Sequence, residues 1–299
     1  VPEQEGEQHN LILDQAYDTL IAQYGIIGLV SQAVVGTGST PPAATQTGLT
    51  NEVSRTGNVA PSYSQYQLTR IADGVADILA AREFTEAQVG GQNLTEWGFS
   101  PAGAAGPNLM CRELFRDGSN NPVVLTLASD QHLRLLYKMR ITVGPVTPQN
   151  ASINISGIGV LTGKVVMRKV EDSWGDQFLD INTTDRFAKQ ADISGGTGGG
   201  NVIIGESGIN PSTYYNDTNV WWGNIAKGIG YQAYVANSRQ RKSQPVLWNP
   251  SEANITIYGG GLGIWAKPAV ILRFDPGQEF TKTNLYKLQF GEWTLTWGP

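Results

Sequence analysis

"HLRLLYKMRITV", residues 132–143, is the stretch whose reading decides the fold class. Leu133, Leu135, Tyr137, Met139, Ile141 and Val143 fall on one side of an extended chain; Arg134, Lys138, Arg140 and Thr142 fall on the other. Alternation with a period of two over that length predicts a strand with one buried and one wet face. "GPVTPQN" (144–150) then breaks the pattern. We place a boundary there, between a first unit (residues 1–147) and a second (148–299).

Composition extends the strand reading to the rest of the chain. Only 16% of the 299 residues are charged, and there are 36 glycines and 15 prolines. That balance suits strands and turns better than helices, which favour Ala, Leu, Glu and Lys. The formal net charge of −5 argues against a nucleic-acid footprint. The short basic run "SRQRK" (238–242) reads as a solvated loop or subunit contact. No apolar run reaches membrane-span length, and the polar, acidic residues 1–10 are not expected to form a signal peptide.

Two helices are expected. "HNLILDQAYDTLIAQY" (9–24) sets Leu13, Ala16, Tyr17, Leu20 and Tyr24 at helical spacing, and "IIGLVSQAVV" (26–35) follows as a strand. "YQLTRIADGVADILAAREFT" (66–85) suggests a short second helix, weakened by Gly74.

The second unit repeats parts of the first in the same order. "NLTEWG" (93–98) matches "NITIYG" (254–259). "LMCRELFRDG" matches "AVILRFDPG", setting Arg112 against Arg273, and "RITVGP" matches "TLTWGP". The fold class expected is mainly β: two antiparallel, sandwich-like modules related by partial duplication, with a short N-terminal helix. The second copy carries a long insertion at about 171–250. In its last strand Phe290, Leu288 and Tyr286 line up with the inward Tyr137, Leu135 and Leu133, provided that a β-bulge at Gly291–Glu292 absorbs one extra residue.

Residues able to carry chemistry are few. Cys111 is the single cysteine, so neither an intrachain disulfide nor a thiolate cluster can form. His9 and His132 stand far apart, and no Gly-x-Ser-x-Gly is present, so nucleophilic catalysis has little to draw on. Asp172, Asp176, Asp180 and Asp185 lack calcium-loop spacing and read as a solvated face. No catalytic residue, metal site or cofactor is expected. Seven of the eight tryptophans follow residue 170, and Trp221 and Trp222 lie near Tyr214 and Tyr215 inside the insertion. These four are candidate contacts for a ligand or a neighbouring subunit, as are Leu13, Tyr17 and Leu20 on the N-terminal helix.

"VVGTGSTPPAATQTGLTNEVSRT" (34–56) looks at first like a phosphate loop, but its glycines run into Pro41–Pro42 where a helix should begin. Gly36 and Gly38 instead let the chain reverse, and the prolines hold the outgoing segment extended. Leu49 can pack inward while Glu52 and Arg55 pair along a short helical turn or lock a loop onto the sheet. The stretch therefore reads as a structural clasp made by Gly36, Gly38, Leu49, Glu52 and Arg55.

With "FTE" (84–86), "LTEWGFS" (94–100), "LMCRELFRDG" (109–118) and the strand at 133–143, this clasp resembles a module of tailed-bacteriophage structural proteins of the tail-fibre, collar and tail-associated kind. The resemblance covers about residues 9–145, and the second unit only through the partial repeat. It implies a non-enzymatic virion protein that builds or attaches tail, collar or fibre parts. Its expected partners are other copies of itself and other virion proteins, with no role for nucleic acid or membrane. The alternative is a receptor- or glycan-binding module of the adsorption apparatus, using the aromatic insertion on a host surface glycan.

Overall fold

The computed structural model describes residues 6–19, 28–72, 75–142, 147–167, 201–205, 225–228, 230, 232–264 and 267–298. The protein is mainly β, with several antiparallel sheets. The first half runs β1 (Leu11–Ile12), α1 (Asp14–Thr19), β2 (Gln32–Gly36), β3 (Glu52–Thr56), β4 (Gln67–Ala72) and β5 (Val75–Phe84). It continues with α2 (Glu86–Val89), β6 (Asn93–Leu94), β7 (Glu96–Ser100), β8 (Cys111–Leu114), β9 (Leu125–Thr126) and β10 (Leu133–Thr142). The second half runs β11 (Gln149–Ile155), β12 (Gly159–Met167), β13 (Asn201–Gly205), β14 (Ile225–Gly228), β15 (Gln240–Lys242) and β16 (Val246–Trp248). After these come β17 (Thr256–Ile257), β18 (Gly259–Ile264), β19 (Lys267–Phe274), β20 (Phe280–Thr281), β21 (Leu288–Phe290) and β22 (Thr294–Thr296).

In the first half, five strands pair in the order β1-β8-β7-β2-β3, and three in the order β10-β5-β4. Residues from both sheets, Val35, Phe99, Ala80, Phe84 and Tyr137 among them, join in one apolar cluster. β10 alternates as its side chains dictate: Tyr137 is buried, Leu133, Leu135, Met139 and Ile141 are half-buried, and Arg134, Lys138, Arg140 and Thr142 are exposed. It pairs along its whole length with β5, from Leu133↔Phe84 to Thr142↔Val75.

Two helix expectations are corrected. Among the described residues of 66–85 there is no helix; β4 and β5 pair antiparallel. β5 is buried on both faces, so it lacks the alternation that marks a half-buried strand. The helix expected over 9–24 is confined, among the described residues, to Asp14–Thr19, because Leu11 and Ile12 extend to pair with Arg112 and Cys111. Pairing with an existing sheet outweighs the modest local preference for helix. The first long strand also starts later than its apolar run, at Gln32.

The six-stranded sheet of the second half has the order β11-β12-β19-β18-β13-β14. Its cluster is separate: Leu161, Val246, Trp248, Ile257, Leu272, Phe274, Leu288 and Phe290. In register, Gly259 opposes Arg273 between β18 and β19, as Gly98 opposes Arg112 between β7 and β8.

The expected bulge is not there in the form proposed. The β16–β21 pairing (Val246↔Phe290) and the β15–β22 pairing (Lys242↔Thr294) are separated by three residues on each strand, so no residue is inserted. The interruption instead falls where Pro245, which has no N–H, faces Gly291. Phe290 is buried and Trp293 packs on the same cluster, whereas Tyr286 is 63% exposed and does not face inward.

Candidate functional site

The clasp closes on a buried ion pair. Glu96 and Arg112 are fully buried, with Arg112 Nη2 2.6 Å and Nε 3.0 Å from Glu96 Oε2. Adjacent strands bring them together, Glu96 opening β7 and Arg112 lying within β8. The first glycine turn and the segment after the prolines supply the remaining partners. Glu96 Oε1 accepts the backbone N–H groups of Gly38 (2.9 Å) and Asn51 (2.8 Å), and Oε2 accepts that of Thr50 (3.1 Å). Arg112 also donates to Gln46 Oε1 (2.7 Å), the Thr40 carbonyl (2.8 Å) and Thr50 Oγ1 (3.1 Å). A charge pair taken out of water persists only when its other lone pairs and protons are met, as they are here.

Both clasp glycines are required by close approach. A Cβ on Gly38 would collide with the Glu96 carboxylate and the Thr50 side chain, and one on Gly36 with the Asn51 carbonyl and Glu96. Leu49 packs against a small cluster of Leu13, Val34 and Leu109. Thr95 fastens the turn from the other side, its N–H donating to the Gly36 carbonyl and its hydroxyl to that of Gly38.

Glu52 and Arg55 do pair, Nε to Oε1 at 2.7 Å and Nη2 to Oε2 at 2.8 Å, but on a strand and not on a helical turn. Residues three apart on a regular strand point to opposite faces. Here Val35 opposes Ser54 while Gly36 opposes Glu52, so Val53 is extra and the bulge returns both side chains to one side. Arg55 Nη1 then reaches the carbonyls of Ala102 and Ala104, each at 2.6 Å, and so locks the loop after β7.

The other predicted contacts separate. Leu13 is fully buried in the core of the first half. Tyr17 lies on α1 under the Arg239 guanidinium, 4.5 Å from the ring centroid. Burial raises the Tyr17 hydroxyl pKa, opposed by Arg239. Leu20, Tyr214, Tyr215, Trp221, Trp222 and the four aspartates 172–185 lie outside the described residues. The basic run is no free loop: Arg239 bonds to Asp14 of the first half, and Gln240–Lys242 forms β15.

Sequence reading singled out the strands of Glu96 and Arg112 but missed their pairing. The available signal was a charged residue flanked by apolar ones in each of two short strands, Glu96 in "TEWGF" and Arg112 in "MCREL", the latter beside Glu113. In the second half the position of Glu96 within the repeated "N-x-T" motif is taken by Ile257, fully buried. There the buried cation is Lys282, whose Nζ donates to the carbonyls of Asn249 (3.0 Å) and Glu252 (2.6 Å) and to Asn254 Oδ1 (3.1 Å). Its pKa is lowered by burial.

These centres tie loops to sheets, and their charges are already consumed by the protein. Among the described residues, no three or more His, Cys, Asp or Glu gather as a metal site. His132 is half-exposed and bonds to Glu86 at 2.9 Å. Burial pushes the Cys111 thiol up to about 12, leaving it protonated and inert. Comparison with protein-family models, with curated proteins and with solved structures gives no match.

Proposed function

We propose that the chain is a non-enzymatic structural protein of a tailed-phage virion, building or attaching parts of the tail, collar or fibre together with other copies of itself. The observation that carries this reading is the convergence of the motifs behind the phage resemblance. The glycine turn, the residues after the prolines, "TEWG" and the Arg-bearing strand all meet at Glu96–Arg112. The motif order is thus the recipe for one assembled scaffold element, whose polar groups serve the fold.

The reading includes two β modules, each a pair of packed sheets, that are copies of one plan. The shared pairings support it. β1-β8-β7-β2-β3 is matched by β12-β19-β18-β13-β14. The β5–β10 ladder is matched by β15 and β16 on β22 and β21, and β6–β9 by β17–β20. All are antiparallel and follow the same order along the chain. Unrelated strands would not be expected to reproduce six pairings in sequence order. Each half adds one edge strand to the shared plan, the first β4 beside β5 and the second β11 beside β12.

Labelling intact phage particles with gold-tagged antibody against the purified chain tests the function. Label at the tail, collar or fibre of each particle is the expected result. Unlabelled particles, with a purified chain that cleaves host surface polysaccharide, would overturn it.

A further inference from the structure

Among the described residues the two apolar clusters do not merge, one drawing on residues before 140 and the other on residues after 150. Hydrogen bonds, an ion pair and ring contacts nevertheless join the halves, and they gather on α1. Arg239 Nη2 donates to Asp14 Oδ1 at 2.9 Å while its guanidinium covers Tyr17. The Tyr234 hydroxyl donates to Asp18 Oδ1 at 2.6 Å, and that oxygen also accepts the Asn237 N–H at 2.9 Å. The Trp297 indole N–H donates to the Tyr17 carbonyl at 2.6 Å, and its ring stacks on Tyr234 with centroids 5.8 Å apart.

The opposite side of α1 belongs to the first half. Leu13 and Ala16 are buried there, the Leu13 N–H donates to the Met110 carbonyl, and Gln15 Nε2 bonds to the carbonyls of Thr47 and Leu109. The chain just before it is held as well: β1 pairs with β8, and Gln8 bonds to Leu114 and Arg116. One six-residue helix is therefore seated in one half and gripped by the other.

We propose that α1 is a latch that fixes the orientation of the two halves, with Tyr234, Arg239 and Trp297 as its keeper. The keeper comes from two separate places, a loop ahead of β15 and the residue after β22, so it forms only when the second half is folded. Asp14 and Asp18 set its polarity and Tyr17 its position. With the latch engaged the chain moves as one body, and a load on one half passes to the other.

Small-angle scattering of the full chain tests this with two variants on opposite sides of the seam. Arg239→Glu/Trp297→Ala removes two of the three keeper residues, and Asp14→Ala/Asp18→Ala removes the acceptors without touching Leu13 or Ala16. Both are expected to increase the maximum dimension and to split the single calorimetric transition into two, with the far-ultraviolet circular dichroism of the parent. Retained compactness and a single transition in both folded variants would overturn the latch. So would an Arg239→Glu/Trp297→Ala chain that unfolds beside an Asp14→Ala/Asp18→Ala chain that keeps the parent's dimensions.

Discussion

Replacing Arg112 by Met keeps much of the buried volume and removes the cation. Glu96 then stays fully buried with the N–H groups of Gly38, Thr50 and Asn51 but no counter-charge, while Gln46, Thr40 and Thr50 each lose a donor. Breaking one side of a buried pair costs about 3–5 kcal/mol, because a charge is left without compensation. For 299 residues unfolding in one transition, about 2.1 cal/mol/K of entropy per residue makes each kcal/mol worth about 1.6 °C, so the midpoint should fall by about 5–8 °C. The accompanying sign is local: amide exchange at Gly38, Thr50 and Asn51 should accelerate more than at Phe84 or Phe99, because the clasp opens before the sheets do. Calorimetry with residue-resolved hydrogen exchange reads both. A loss below about 1 kcal/mol, the range of an exposed pair, would refute the reasoning. Loss spread evenly over the first half would equally refute the clasp as a local closure.

Three further outcomes follow from the same geometry. Gly38→Ala forces a Cβ into the Glu96 carboxylate and should cost about 1–3 kcal/mol by overpacking, whereas Gly118→Ala, which meets open space, should be near neutral in the same urea titration. Arg55→Ala should free the loop at 101–109 from its two carbonyl contacts, seen as faster proteolysis there with little change in the midpoint. Burial raises the Cys111 thiol to about 12 and raises the Tyr137 hydroxyl as well. The protonated forms are thus favoured by folding. Their contribution is complete below the unfolded values and is lost as pH rises through the folded ones, so urea midpoints should fall from about pH 9 upward, less steeply in Cys111→Ala.

Much of the fold can be read directly where one face is wet. β10 shows its period of two because Arg134, Lys138 and Arg140 face solvent. β5, with "VADILAAREF", hides the same information, since burial on both faces leaves an Ala-rich apolar run that looks helical. Leu11 and Ile12 mislead for a related reason: their helical spacing is real, but β8 offers them a sheet edge. The clasp was visible as glycines, prolines and a Glu–Arg pair, yet its centre was not. Glu96 and Arg112 are 16 residues apart and meet only through strand register, which local pattern does not encode. The bulge at Val53 that turns Glu52 toward Arg55 likewise depends on the neighbouring strand.

The measurement that bears most directly on the proposed role is a cryo-electron microscopy reconstruction of the intact phage particle at side-chain resolution. The account predicts symmetric copies of this chain in the tail, collar or fibre, each with two superimposable β modules and the Glu96–Arg112 clasp closed. A particle complete without the chain, or copies whose halves follow different strand orders, would contradict it.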